Sequence, residues 1–210
     1  MCNTDRCCAL FWPCILILAC VVLFGQIFFP EYHSRDPNFE VDSVTINPFD
    51  MSNNSSSHKT TTTTHCNITF FVQNRNKKSF PLYFKDIKAS IFYKKENISS
   101  IEIRPFFQLN PKENILVNAN FVVSSEDMDS SVANSIVQDW KSGVVGFNVV
   151  VRGTVKIDPW TDVEENYLIS VSCEEIKVGF SSNVTTGSMS GGSRKCHVVL
   201  LNPFHEVDMR

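Results

Sequence analysis

The chain has no excess of basic residues. Its 19 Lys and Arg are outnumbered by 22 Asp and Glu, for a formal net charge of −3. The pairs Lys77-Lys78 and Lys94-Lys95 are too short to neutralise a run of phosphates. No nucleic-acid partner is expected. Nucleotide fingerprints are also missing: there is no G-x-G-x-x-G and no Walker lysine motif. The nearest approach to a G-x-S-x-G elbow, Gly187-Ser188-Met189-Ser190-Gly191, has Met where the nucleophile should stand. The five His are scattered, with no H-x-x-x-H pair, and acidic pairs such as Glu164-Glu165 and Glu174-Glu175 read as solvated charge. These absences point to a non-catalytic chain with no cofactor and no metal. Long apolar runs are missing too, with one exception, which excludes a polytopic membrane protein.

The exception is Ala9–Phe29, where only Pro13, Gly25 and Gln26 fall outside the apolar set. A helix of that length spans about 31 Å, the thickness of a bilayer core. Pro13 falls in the first turn, where its missing N–H costs little. Trp12 lies near one interface, and Phe28, Phe29 and Tyr32 near the other, where rings are favoured. The run is longer than a signal-peptide core and no small-x-small cleavage site follows it. The expectation is an uncleaved single transmembrane helix.

Arg6 gives a small positive-inside bias toward a cytosolic N-terminus. Five Asn-x-Ser/Thr sequons, at Asn53, Asn54, Asn67, Asn97 and Asn183, all follow the span and are the glycosylation candidates. Together these clues place the C-terminal portion on the non-cytosolic side of the membrane. The cysteines divide the same way. Cys2, Cys7 and Cys8, beside the span, are acylation candidates. Cys173 and Cys196 can oxidise if the large portion is outside. Their loop would contribute on the order of 3 kcal/mol. Cys66 is left over as an odd or buried thiol. His65-Cys66 and Cys196-His197 do not make a zinc site, because neighbours in a strand point to opposite faces.

A tail (1–8), the span (9–29) and a stalk (30–38) thus precede a β-rich domain over 39–201 and a tail over 202–210. Phe39–Ile46 reads as a first strand. Residues 51–64 are nearly all Ser, Thr and Asn and read as a mobile loop. From His65 the period is two. Cys66, Ile68, Phe70 and Val72 share a face, as do Ile87, Ala89, Ile91 and Tyr93. Ile115 to Val123 and Val145 to Val151 repeat the pattern, and Tyr167–Cys173 and Cys196–Leu200 complete the strand set. Within Ser125–Ser142 the period changes: Val132, Ile136 and Trp140 recur every four residues, with Asp127 and Asp129 before them and Gly143 after. That predicts a short amphipathic helix. The expected fold is mainly β, an immunoglobulin- or fibronectin-III-like antiparallel sandwich of two sheets with one inserted helix.

Three motifs carry a resemblance to a family. Asn74-Arg75-Asn76-Lys77-Lys78 with Leu82-Tyr83-Phe84 and Asp86 is similar to the family's "NPNKRIGVYYD". Pro105-Phe106-Phe107-Gln108 is similar to "PFYQG", and Val171-Ser172-Cys173 to a late "V-x-C" strand. On these the chain, over roughly residues 9–200, resembles the plant harpin-induced-like and non-race-specific-disease-resistance-like proteins, whose exterior part is a late-embryogenesis-abundant group 2 (LEA-2) domain. Arg75 stands where the motif has Pro, and Leu109 where it has Gly. The motif residues Asn74, Asn76, Tyr83, Pro105, Phe106, Phe107 and Gln108 have structural readings as well: the two Asn suit a turn needing left-handed backbone, and Tyr83, Phe106 and Phe107 suit the core. The resemblance implies a non-catalytic surface protein of plant defence or stress response, at the plasma membrane or plasmodesmata, with protein or cell-wall partners. The alternative is a protective or lipid-binding domain in dehydration or cold. A lipid is the one small ligand left open.

Overall fold

The computed structural model describes residues 36–47, 63–76, 80–104, 106–124, 128–157, 165–180 and 186–201. All belong to a compact unit spanning Arg35–Arg210. The expected span, Cys2, Cys7, Cys8, most of the stalk, Asn53, Asn54, Pro105, Asn183 and the tail over 202–210 lie outside the described residues. Among the described residues, no helix is long and apolar enough to cross a membrane.

Among the described residues, eleven strands and one helix follow in order: β1 (Asn38–Asn47), β2 (Thr63–Gln73), β3 (Leu82–Tyr93), β4 (Glu96–Glu102), β5 (Phe107–Leu109), β6 (Asn114–Ser124), α1 (Ser130–Lys141), β7 (Val144–Ile157), β8 (Glu165–Phe180), β9 (Gly187–Met189), β10 (Arg194–Lys195) and β11 (His197–Leu201). Every pairing is antiparallel. The period-two faces set the interior. Cys66, Ile68, Phe70 and Val72 of β2 are buried, and so are Ile87, Ala89, Ile91 and Tyr93 of β3 and Val145, Phe147, Val149 and Val151 of β7. In β6 the same face sinks progressively: Ile115 and Val117 are half-buried, Ala119, Phe121 and Val123 fully so.

The two-sheet sandwich is not what forms. The strands make one sheet in the order β4-β3-β7-β8-β9-β1-β2-β6, with β5 beside β3, β10 beside β1 and β11 beside β8. The join is β9, three residues long, which pairs with β8 through Ser188↔Gly179 and with β1 through Thr45↔Ser188. At the far side the outer strands approach each other, where the Ser99 hydroxyl donates to the Val122 carbonyl at 2.8 Å. The sheet is nearly closed, barrel-like. Local irregularities supply the curvature. The register slips between Val41 and Ser43, between Lys85 and Lys88, and between Phe147 and Val149. Asp86 and Glu175 take positive φ, 52° and 55°, at two of these slips. Such bulges bend a strand and sharpen its twist. Opposite the slip in β3, Gly153 is required: a Cβ there would meet Ile87 Cδ1 and, at 3.0 Å, the Lys85 carbonyl.

Helix α1 starts just after Asp129, one of the two acidic residues noted before the period-four run. Asp129 accepts from Ser131 N at 2.7 Å, and hydrogen bonding from the Ser131 side chain, then from its backbone N–H, holds the carboxyl below the ordinary range. It ends at Gly143, φ +92°, whose N–H donates to the Trp140 carbonyl at 2.8 Å. Ile136 is buried and the helix packs against β7. Several boundaries move: Asn38 belongs to β1 rather than the stalk, Thr63 and Thr64 belong to β2 rather than the loop, β3 begins at Leu82, β8 runs on to Phe180, and α1 begins at Ser130.

Candidate functional site

Antiparallel pairing brings the family-motif residues to one pole of the barrel. The row Asn38↔Gln73↔Asn114 marks this rim on β1, β2 and β6. On the other side, Leu82↔Ile157↔Glu165 marks it on β3, β7 and β8. Asn74 follows β2 here and is fully buried. Its amide Nδ2 donates to the Phe80 carbonyl at 2.8 Å and the Leu109 carbonyl at 3.0 Å, while Oδ1 accepts from Asn76 N at 3.0 Å. Its backbone N–H donates to the Glu113 carbonyl at 2.9 Å, and its carbonyl accepts from Lys112 N at 3.0 Å. One residue thus ties together the end of β2, the approach to β3, strand β5 and the β5–β6 turn. Neither Asn74 nor Asn76 takes positive φ; the left-handed residue of this cluster is Lys112, φ 67°. Only the left-handed part of the turn expectation is corrected: Asn74 Oδ1 closes a turn onto Asn76 N without positive φ, and Asn74 is kept inside by the hydrogen bonds it completes.

The motif aromatics also differ from expectation. β3 and β5 pair through Leu82↔Leu109, Tyr83↔Gln108 and Phe84↔Phe107. The core positions are Leu82, Phe84 and Leu109, all at 0% exposure. Tyr83 is half-buried, with Lys156 Nζ 5.9 Å from its ring centre. Phe107 is half-buried and stacks on Phe84 at 4.6 Å; Phe84 in turn meets Phe39 edge-on at 6.0 Å. Phe106, expected in the core, is 63% exposed. It precedes the strand, so no ladder partner draws it inward. Gln108 is exposed and donates to Asn110 Oδ1 at 3.3 Å.

Cys173 and Cys196 form a disulfide, with Cα atoms 4.4 Å apart, at the lower edge of the usual range. Cys173 lies in β8. Cys196 sits between β10, which pairs β1, and β11, which pairs β8, and its N–H donates to the Phe39 carbonyl at 2.9 Å. The bridge thus fastens the narrow seam between the two halves of the sheet. It also commits Cys196, so the Cys196-His197 dipeptide has no thiolate to offer a metal. No group of three or more His, Cys, Asp or Glu that could hold a metal converges among the described residues.

Two further features line the opposite end. An open groove of about 450 Å³ lies between the β3–β4 turn (Lys94, Lys95, Glu96) and Ser131, Val132 and Ser135 of α1. Its inner wall is Tyr93, whose hydroxyl donates to Asp139 Oδ2 at 2.7 Å. Burial, then that bond and the nearby carboxylate charge, push the phenol to about 12. Inside the barrel, a cavity of only about 20 Å³ is lined by Thr64, Cys66, Ile98 and Phe147, among others. Burial pushes the Cys66 thiol up to about 12. Both groups hold their protons more tightly folded than unfolded. Their contribution is therefore complete below the ordinary values of 9.0 and 10.0 and is lost as pH rises to about 12. The urea midpoint is expected to fall across that window. The double variant Cys66→Ala, Tyr93→Phe should flatten the fall, even if it lowers the midpoint at neutral pH.

Two sequons are in view. Asn67 is exposed mid-strand in β2, and Asn97 is exposed in β4, the outer strand after the β3–β4 turn.

No family model matches the chain, and no curated protein matches it. Among solved structures, one described as a crystal structure of a protein from Archaeoglobus fulgidus is similar. It shares 12% identity with a TM-score of 0.31, over 56% of this chain and 97% of its own.

Proposed function

We propose that this chain is a single-pass, membrane-anchored, non-catalytic surface protein of the LEA-2 type. It presents its barrel outside the cell to protein or cell-wall partners in plant defence or stress response. The observation that carries the reading is the Cys173–Cys196 disulfide, buried at the seam of the sheet on the Cys173 side. Such bonds persist in oxidising compartments. It agrees with the apolar run Ala9–Phe29 and with sequons confined to the residues after it. Exposed Asn67 and Asn97 are open to glycan transfer from that side. Two-dimensional confinement by the anchor raises the effective concentration of a weakly binding domain.

The lipid-binding alternative needs room inside. Small-molecule sites run to several hundred Å³, and among the described residues the cavity beside Cys66 holds about 20 Å³. That contrast favours contacts made on the outside of the barrel.

The anchor is tested by Leu18→Lys, which places a charge at the centre of the apolar run. Insertion should cost about 3 kcal/mol more, and the variant should leave the membrane fraction or fail to insert. Unchanged membrane fractionation would remove the anchor from the account.

A further inference from the structure

Among the described residues, large exposed apolar side chains are unevenly placed on this barrel. Phe106, Leu116, Leu168 and Leu201 are 50–63% exposed. All four lie toward the pole where β1 begins. Leu116 is two residues inside the Asn38↔Gln73↔Asn114 row. Leu168 and Leu201 pair directly near the start of β8 and the end of β11. Phe106 precedes β5 and the Tyr83↔Gln108 pair. They come from four different strands or their flanks, so they form a broken collar around the rim rather than a single patch. The opposite pole carries Val122 and Val144.

The same pole receives the chain from the apolar run. Seven residue steps separate Phe29 from Asp36, the first described residue. Even fully extended they reach no more than about 25 Å. If Ala9–Phe29 spans a bilayer, the rim cannot lie farther than that from its surface. The collar and the tether are independent observations, one from side-chain exposure and one from chain length, and they select the same pole.

We infer that this collar seats the rim of the barrel on the lipid surface of the membrane that anchors it. Phe106, Leu116, Leu168 and Leu201 would enter the boundary between headgroups and acyl chains, where such side chains are favoured. The inference rests on the anchored reading above. It adds an orientation: the barrel stands with its β1-start pole down. Val122, Val144 and the groove beside Lys94 and Lys95 then face away from the membrane, toward partners.

The test uses the full chain reconstituted in phosphatidylcholine vesicles, with a fluorescent amino acid placed by codon suppression at Phe106, Leu168 or Val122. All three positions are exposed, so the label displaces no core. Spin-labelled phosphatidylcholine is the quencher, and flotation of the same sample reports anchoring. The expected result is flotation of all three, with quenching at 106 and 168 about threefold or more above that at 122. Flotation with equal quenching at the three positions overturns the collar and leaves the anchor standing. Failure to float overturns both.

Discussion

Replacing Asn74 with Leu is expected to destabilise the folded domain by about 3–5 kcal/mol. Leucine keeps the branched shape of asparagine, is larger, and has none of its polar atoms. The Phe80 and Leu109 carbonyls and the Asn76 N–H would each lose a partner. Asn74 is fully buried, and the Leu109 bond is buried as well, so water cannot simply replace what is lost. Each such group costs about 1–3 kcal/mol when left unsatisfied. Asn74→Asp should be comparably damaging, because a carboxylate accepts where Nδ2 now donates twice. Urea unfolding of the protein, followed by circular dichroism, measures both. A loss under about 1 kcal/mol would mean that the knot at this pole is not what holds β2, β5 and the β5–β6 turn together.

The second large effect is at the seam. Removing the disulfide with Cys173→Ala and Cys196→Ala together is expected to cost about 2–5 kcal/mol. The loop of 23 residues it closes accounts for about 3 kcal/mol through the unfolded chain alone. The location adds to this. β9 joins the two halves of the sheet through three residues, and β10, two residues long, pairs with β1 alone. Without the bridge, little besides the Cys196 N–H to Phe39 carbonyl bond fixes the link between β10 and β11. The double variant should therefore show faster amide exchange in β1, β10 and β11 before the rest of the sheet opens. Exchange that rises uniformly across all strands would place the stabilisation in chain entropy only.

Much of the barrel is legible in the sequence because alternation reports directly on burial. Ile68, Phe70 and Val72 share a face by period two, and all three are buried. The helix is legible for the same reason: Asp129 and Gly143 bracket a period-four run, and they cap it. Alternation does not say how one face meets the next. Whether two sets of strands stack as separate sheets or join at an edge depends on Gly187-Ser188-Met189, a segment too short and too polar to show a period. β4 escapes notice because Ser99 and Ser100 interrupt its pattern, and Ser90 and Ser100 pair across the ladder at 2.8 Å instead of packing. At the motif pole the sequence marks the right residues, but their roles depend on contacts far along the chain. Asn74 meets Leu109 35 positions away. Phe106 and Phe107 are adjacent and chemically alike, and only the start of β5 between them decides which ring stacks on Phe84.

The central claim, a barrel held on the outer side by one membrane segment, is tested most directly on intact cells expressing the full chain in a eukaryotic host. The cells are treated from outside with an amidase that removes N-linked glycans, and the chain is then followed on a gel. The account predicts a faster-migrating band after treatment, with the shift reduced when Asn67 and Asn97 are both changed to Gln. An unchanged band, together with an N-terminal epitope that antibodies reach without permeabilisation, would contradict it.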